Sequence, residues 1–203
     1  VNSLWGMDTE TGNERLIADP REMVTETQGD LPAAEQARRE RARESAGGIT
    51  AYSTDRSGSL AAFALGGELF VVDTSSGSFA VIENSGGAFD PRLSGDGQLV
   101  SFVANDGLYL ASTDGAVVTQ PIATEDSDTV SWGSAEFVAA EEMRRSRGHW
   151  WDPTSKKLAV TRVDVNDVSL WHIAAPNDPA REPRAVRYPA AGTSNADVQL
   201  YVV

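Results

Sequence analysis

The chain has 203 residues, 40% of them hydrophobic, a formal net charge of -13 and no cysteine. That length allows one large domain or two small ones with a sizeable core. The charge argues against a nucleic-acid partner, which needs clustered Lys and Arg, and the missing thiols exclude disulfides, a cysteine nucleophile and thiolate metal sites.

No apolar run approaches a membrane span and no signal peptide opens the chain, so no membrane segment is expected and the compartment is read as cytoplasmic. Leu4 to Asp8 and Glu14 to Ala18 read as one hairpin. The stretch from Pro20 to Ala46 breaks the strand pattern. Within it Leu31 to Ala46 reads as a helix, with Asp30 as cap, Pro32 near the first turn and Glu35 spaced to pair with Arg39. Ala37, Arg38, Arg39, Arg41, Ala42 and Arg43 leave it no apolar stripe, which makes this basic run a solvated face.

Three later segments repeat one another. Leu60 to Leu65 with Glu68 to Asp73 returns as Leu99 to Ala104 with Gly107 to Ser112, a shift of 39 positions, and again as Leu158 to Val163 with Val168 to Ile173. Two apolar strands joined by a tight polar turn, at a period near 40, mark the four-stranded blades of a β-propeller. Ser94-Gly95-Asp96-Gly97 and Asp152-Pro153-Thr154-Ser155 supply the turns before the second strands. The blades are expected at Ile49 to Ile82, Phe89 to Ile122 and Val130 to Val186. Asp197 to Val203 reads as the opening strand of another blade, and Leu4 to Ala18 as the last hairpin of an earlier one, so both ends look cut. The expected fold class is therefore all-β: a partial propeller of four-stranded antiparallel blades spanning 1–203, with a helical insertion at about 20–46 and a short helical arm at about 135–149.

The departures from the period locate those two insertions. From Leu4 to Leu69 is 65 positions, 26 more than one blade, and from Leu99 to Leu158 is 59, some 20 more. Insertions in repeat proteins often gather on the binding face. The second surplus is the run Ala135 to Trp151, AEFVAAEEMRRSRGHWW, whose Ala-Ala-Glu-Glu-Met-Arg-Arg core favours helix. Glu141 and Glu142 place two repelling carboxylates side by side, and a cation or water must compensate them. Arg144 and Arg145, three to four residues on, offer ordinary helical ion pairs. Trp150 and Trp151 read as core packing that braces the arm.

Catalytic machinery is missing from the sequence. No G-x-S-x-G elbow occurs; Gly192-Thr193-Ser194-Asn195-Ala196 lacks the second glycine. His172 sits in an alternating strand and reads as structural, while His149 on the arm has no Ser or Cys beside it in a recognised motif. No metal or cofactor motif is found, so catalytic and metal residues are expected to be none and cofactors none. The chain alone is not expected to hydrolyse peptides.

The run E-F-V-A-A-E-E-M-x-R-x-x-G-x-W-W, with the strand Lys157 to Val163 after it, resembles the double-glutamate arm of the dipeptidyl peptidase IV group, in the prolyl oligopeptidase clan of serine peptidases. Leu4-Trp5 to Pro20, the Pro-Ala-Ala-Glu-Gln-Ala-Arg-Arg-Glu-Arg-Ala-Arg-Glu linker, and Tyr188-Pro189-Ala190-Ala191-Gly192 to Val203 agree with that group's N-terminal propeller. The resemblance implies a C-terminal α/β-hydrolase domain, absent here, that carries Ser, Asp and His. It implies a peptide substrate with a free N-terminus whose ammonium is bound by Glu141 and Glu142, so that cleavage falls after two residues. A homo-oligomer of the parent is compatible with it. The family's carbonyl-binding arginine has no counterpart matched by motif, and Arg92 is left out of the site. A non-enzymatic propeller that binds a protein or carbohydrate remains open, and G-x-S-x-G with Asp and His beyond Val203 is the discriminating feature.

Overall fold

The computed structural model describes residues 1–23, 35–36, 47–114, 119–174, 176–177, 180 and 182–203. The helix expected over Leu31 to Ala46, with its Glu35–Arg39 pair, lies outside the described residues except for Glu35 and Gln36, which are helical. A hairpin of β1 (Leu4–Met7) and β2 (Glu14–Ala18) leads to the single turn α1 (Pro20–Met23). Asp19 caps that turn by accepting from the Arg21 N–H at 3.0 Å, and proline occupies its first position.

Two complete blades follow. The first has the strand order β3 (Ser53–Thr54), β4 (Leu60–Leu65), β5 (Glu68–Asp73), β6 (Phe79–Val81). The second repeats it with β7 (Phe89–Leu93), β8 (Leu99–Ala104), β9 (Gly107–Ser112) and β10 (Gln120–Ala123), all antiparallel. Their apolar runs are nearly continuous because each blade is covered on both faces. Phe63, Phe70 and Val72 pack toward the β1–β2 hairpin, whereas Ala62, Leu69 and Val71 pack against Val100 and Phe102 of the next blade.

Chemically equivalent turns join the first two strands of each blade. Asp55 accepts from the Leu60 N–H at 2.9 Å, Ser94 Oγ from Leu99 N–H at 3.0 Å, and Asp152 from Lys157 N–H at 2.9 Å. These turns also interlock, since Arg56 N–H donates to Gly95 O at 3.1 Å and Asp96 N–H to Ser155 Oγ at 3.1 Å.

The third sheet differs from expectation. Its central strand β13 (Leu158–Asp164) carries β11 (Val130–Trp132) and β12 (His149–Trp151) end to end on one edge, β11 opposite Arg162 to Asp164 and β12 opposite Leu158 to Val160. Together they form the first strand of the blade, interrupted by the arm. The other edge is taken by β16 (Asp197–Val202), not by the expected Val168 to Ile173. That segment instead forms β14 (Leu170–Ile173), paired with β15 (Arg184–Arg187) in a separate hairpin. Asp197 to Val203 is thus the third strand of this blade rather than the start of another.

The reason lies in turn chemistry. Blades one and two reverse between their second and third strands over Gly66-Gly67 and Asn105-Asp106, all four residues at positive φ, the geometry a two-residue hairpin turn requires. In the third copy none of Val165, Asn166 and Asp167 has positive φ. Val165 N–H bonds Thr129 O at 2.9 Å, and Arg187 donates to Asn166 O at 2.6 Å and Val168 O at 2.8 Å, which turns the chain out of the sheet.

The β13–β16 register gives a direct test. Leu158 and Val203 exchange both backbone bonds at 2.9 Å, so the adjacent pair Ala159–Val202 is of the close, non-hydrogen-bonded kind suited to a disulfide. Ala159→Cys with Val202→Cys is expected to crosslink within the chain on mild oxidation, seen as a mobility shift reversed by reductant. Crosslinking of Ala159→Cys with His172→Cys in its place would restore the expected pairing, which repeats the Ala61–Val72 register of the first blade.

Candidate functional site

The arm starts and ends at one residue of β13. Thr161 is the single position between the stretches paired to β11 and β12. Its carbonyl accepts from Gly133 N–H at 2.9 Å and its N–H donates to Gly148 O at 2.8 Å, while Gly148 N–H reaches Gly133 O at 3.1 Å. The two feet therefore close on each other, and Ser134 bridges Arg147 just beyond. Thr161 Oγ1 lies 3.0 Å from Ser134 O and 3.1 Å from Gly148 O. Crowding at the feet requires glycine. A Cβ on Gly148 would collide with Thr161 Oγ1 and Ser134 O, and Gly133 has φ +75.

Between the feet the chain forms α2 (Phe137–Glu142). The Glu136 carboxylate caps it, accepting from Val138 N–H at 2.5 Å and Ala139 N–H at 2.6 Å. Arg144, at φ 52, then reverses the chain, and Arg145 N–H returns to Ala139 O at 2.9 Å. Only Ala139 of the helix is buried. Phe137 meets the Tyr188 ring edge-on at 5.2 Å, and Tyr188 meets Trp171 at 4.9 Å. The two most distinctive stretches of the sequence, the arm and the Tyr-Pro-x-x-Gly segment, thus touch.

Glu141 and Glu142 occupy the last turn of α2, side by side and exposed. Among the described residues neither makes a hydrogen bond or ion pair, and the pairs offered by Arg144 and Arg145 are not formed. Arg145 instead donates to Arg147 O at 2.9 Å and lies over the Trp150 ring at 5.9 Å, with Arg147 over the same ring at 5.8 Å. Trp151, half-buried against the second blade, donates through Nε1 to Arg92 O at 2.9 Å. Arg92 itself is engaged by the Asp90 carboxylate. Trp151 packs against the core as expected, whereas Trp150 joins no core cluster among the described residues and lies under the two arginines. Thr161 escaped the sequence reading, where the only hint was a hydroxyl residue inside the apolar strand Leu158 to Val163; Tyr188 was singled out there, but not its contact with Phe137.

His149 is fully buried, and its Nδ1 lies 3.0 Å from Gly133 O. A carbonyl only accepts, so Nδ1 holds the proton of the neutral ring. His149 is thus part of the arm's foot. His172, read as a structural strand residue, is exposed on β14. Burial pushes His149 below its ordinary value of 6.5, and nearby Arg92 and Arg147 add to this, against the opposing pull of Asp90 and the Gly133 carbonyl. The unfolded chain therefore takes up a proton near pH 6.5 that the folded chain refuses. Stability is expected to be full above that pH and to fall below it by up to about 1.4 kcal/mol per pH unit. Urea melts between pH 5 and 7 check this: His149→Asn should flatten the slope, and a wild-type slope near zero would contradict it.

Residues 61–203 match the family model described as the dipeptidyl peptidase IV N-terminal region. Dipeptidyl aminopeptidase B of Saccharomyces cerevisiae is 28% identical over 142 residues, covering 67% of this chain and 17% of that protein. Dipeptidyl peptidase 8 of Homo sapiens is 26% identical over 129 residues, 54% of this chain and 14% of that one. The chain thus spans less than a fifth of the length of these relatives. The crystal structure of Porphyromonas gingivalis dipeptidyl peptidase 4 superposes with a TM-score of 0.64 at 22% identity, covering 80% of this chain and 25% of that chain. That likeness establishes the propeller fold, and with the family match over most of its residues the chain belongs to the dipeptidyl peptidase IV N-terminal region family.

Proposed function

We propose that this chain is the substrate-gating part of a dipeptidyl peptidase IV-like serine peptidase, in which Glu141 and Glu142 bind the free N-terminal ammonium of a peptide. A C-terminal α/β-hydrolase domain of the same protein supplies the nucleophile, and the distance from the clamp to that nucleophile makes cleavage fall after two residues. One observation carries this reading. Among the described residues, two adjacent carboxylates stand unpaired on an arm that leaves the first strand of a blade, while Arg145 and Arg147 are held over Trp150. An ammonium offers three N–H donors, and each bond to a carboxylate is charge-assisted. The same three donors distinguish it from an acylated terminus, which has one N–H and no charge.

The test is made in the intact protein. Glu141→Gln and Glu142→Gln each remove one charge from the clamp, and kcat/KM on a chromogenic Ala-Pro substrate should fall on the order of 30- to several-thousand-fold. The melting temperature should barely move, because neither carboxylate has a partner among the described residues. An N-acylated Ala-Pro substrate should be poor for wild type and variants alike. Near-normal turnover of the free substrate by both Gln variants would refute the ammonium clamp.

A further inference from the structure

The arm carries little of its own anchoring. Its helix has six residues and buries only Ala139. Its position therefore depends on a few contacts: the Phe137–Tyr188 edge contact, the two arginines over Trp150, and the closure at Gly133, Gly148 and Thr161. The first two rest on side-chain contacts, to Tyr188 and to Trp150 of the blade's first strand, while the third ties the arm's backbone into the ladder. Backbone bonds through Thr161 continue the ladder across the interruption. The hydroxyl does something the ladder cannot, because it reaches Ser134 O at 3.0 Å and Gly148 O at 3.1 Å and so joins the outgoing foot to the returning one.

We propose that the Thr161 hydroxyl is a positioning group: by hydrogen-bonding both feet of the arm from the strand beneath, it fixes where Glu141 and Glu142 present their carboxylates. This rests on the ammonium-clamp reading above. The position does not require a hydroxyl for shape. Thr161 is buried with Val160 and Val163 as neighbours on the same strand, and β-branched valine fits a pleated strand equally well. What valine lacks is the donor. Its single proton is shared between two carbonyls, and losing it releases Ser134 O, so the outgoing foot can shift while Gly148 stays bonded to the Thr161 N–H. A displacement of about 1 Å is enough to weaken a preorganised charge clamp.

The experiment uses the intact protein with Thr161→Val, Thr161→Ala and Thr161→Ser, read by steady-state kinetics on the free Ala-Pro substrate and by thermal melts. Binding lost equally from ground and transition states raises KM and leaves kcat alone. Thr161→Val and Thr161→Ala should therefore raise KM roughly tenfold, the worth of one hydrogen bond, with kcat within about twofold. Thr161→Ser, which keeps the hydroxyl, should restore KM. KM is read on the folded enzyme, and Thr161→Ala, which adds no bulk, keeps the comparison available where Thr161→Val folds poorly. Wild-type KM in the hydroxyl-free variants, beside impaired Glu141→Gln and Glu142→Gln, overturns the positioning role alone. Silent Gln variants overturn the clamp reading and this proposal with it.

Discussion

The structure depends on face-to-face burial of its blades. Each strand of β4, β5 and β8 sends one set of side chains to the blade before it and the other to the blade after it. Phe63, Phe70 and Phe102, all fully buried, sit in these two-sided layers. At roughly 25 cal/mol for each Å² of apolar surface removed from water, such rings dominate the local stability. A blade held on both faces has no spare face for ligand chemistry. Function is confined to turns, edges and insertions.

That constraint explains the form of the arm. An insertion inside a buried ladder must leave and return without orphaning backbone groups, since an unpaired buried N–H or C=O costs as much as a lost hydrogen bond. The chain meets it with two glycines and one threonine. Gly133 and Gly148 allow the feet to approach more closely than any side chain permits, and Thr161 accepts from one foot and donates to the other. His149 seals the closure with a neutral buried ring at 3.0 Å from Gly133 O. The stability of the arm and the burial of His149 are thus one arrangement.

Much of this was legible in the sequence because blades are periodic. The 39-residue shift located both complete blades, and the surplus of 20 located the arm. The third blade misled for a physical reason. Leu-Trp-His-Ile has the hydropathy of a blade strand, but the pairing of β14 was decided by the backbone between it and β13. Val165-Asn166-Asp167 lacks the left-handed pair that Gly66-Gly67 and Asn105-Asp106 supply. Hydropathy reports which strands are buried, whereas turn conformation selects which strands pair. The carboxylate pair was visible by spacing alone, but its freedom from Arg144 and Arg145 was not. Arg145 is held by Trp150, whose ring is part of a strand that sequence spacing cannot place beside the arm, and Arg144 sits at the left-handed reversal of the chain.

The state of Glu141 and Glu142 then has an energetic meaning. In a chain of net charge -13, two adjacent carboxylates exposed to water cost little, because the solvent screens both their mutual repulsion and the rest of the protein. On the clamp reading, with a second domain over the arm, the cost would rise steeply, since desolvated like charges cannot both remain ionised without a cation. Arg145 and Arg147, engaged with Trp150, are not in position to supply it. On the clamp reading a peptide ammonium fills that role, and closure over the arm favours a substrate that brings its own positive charge. On that reading, selectivity for a free N-terminus would follow from the penalty on the empty, covered pair as much as from the bonds the ammonium makes.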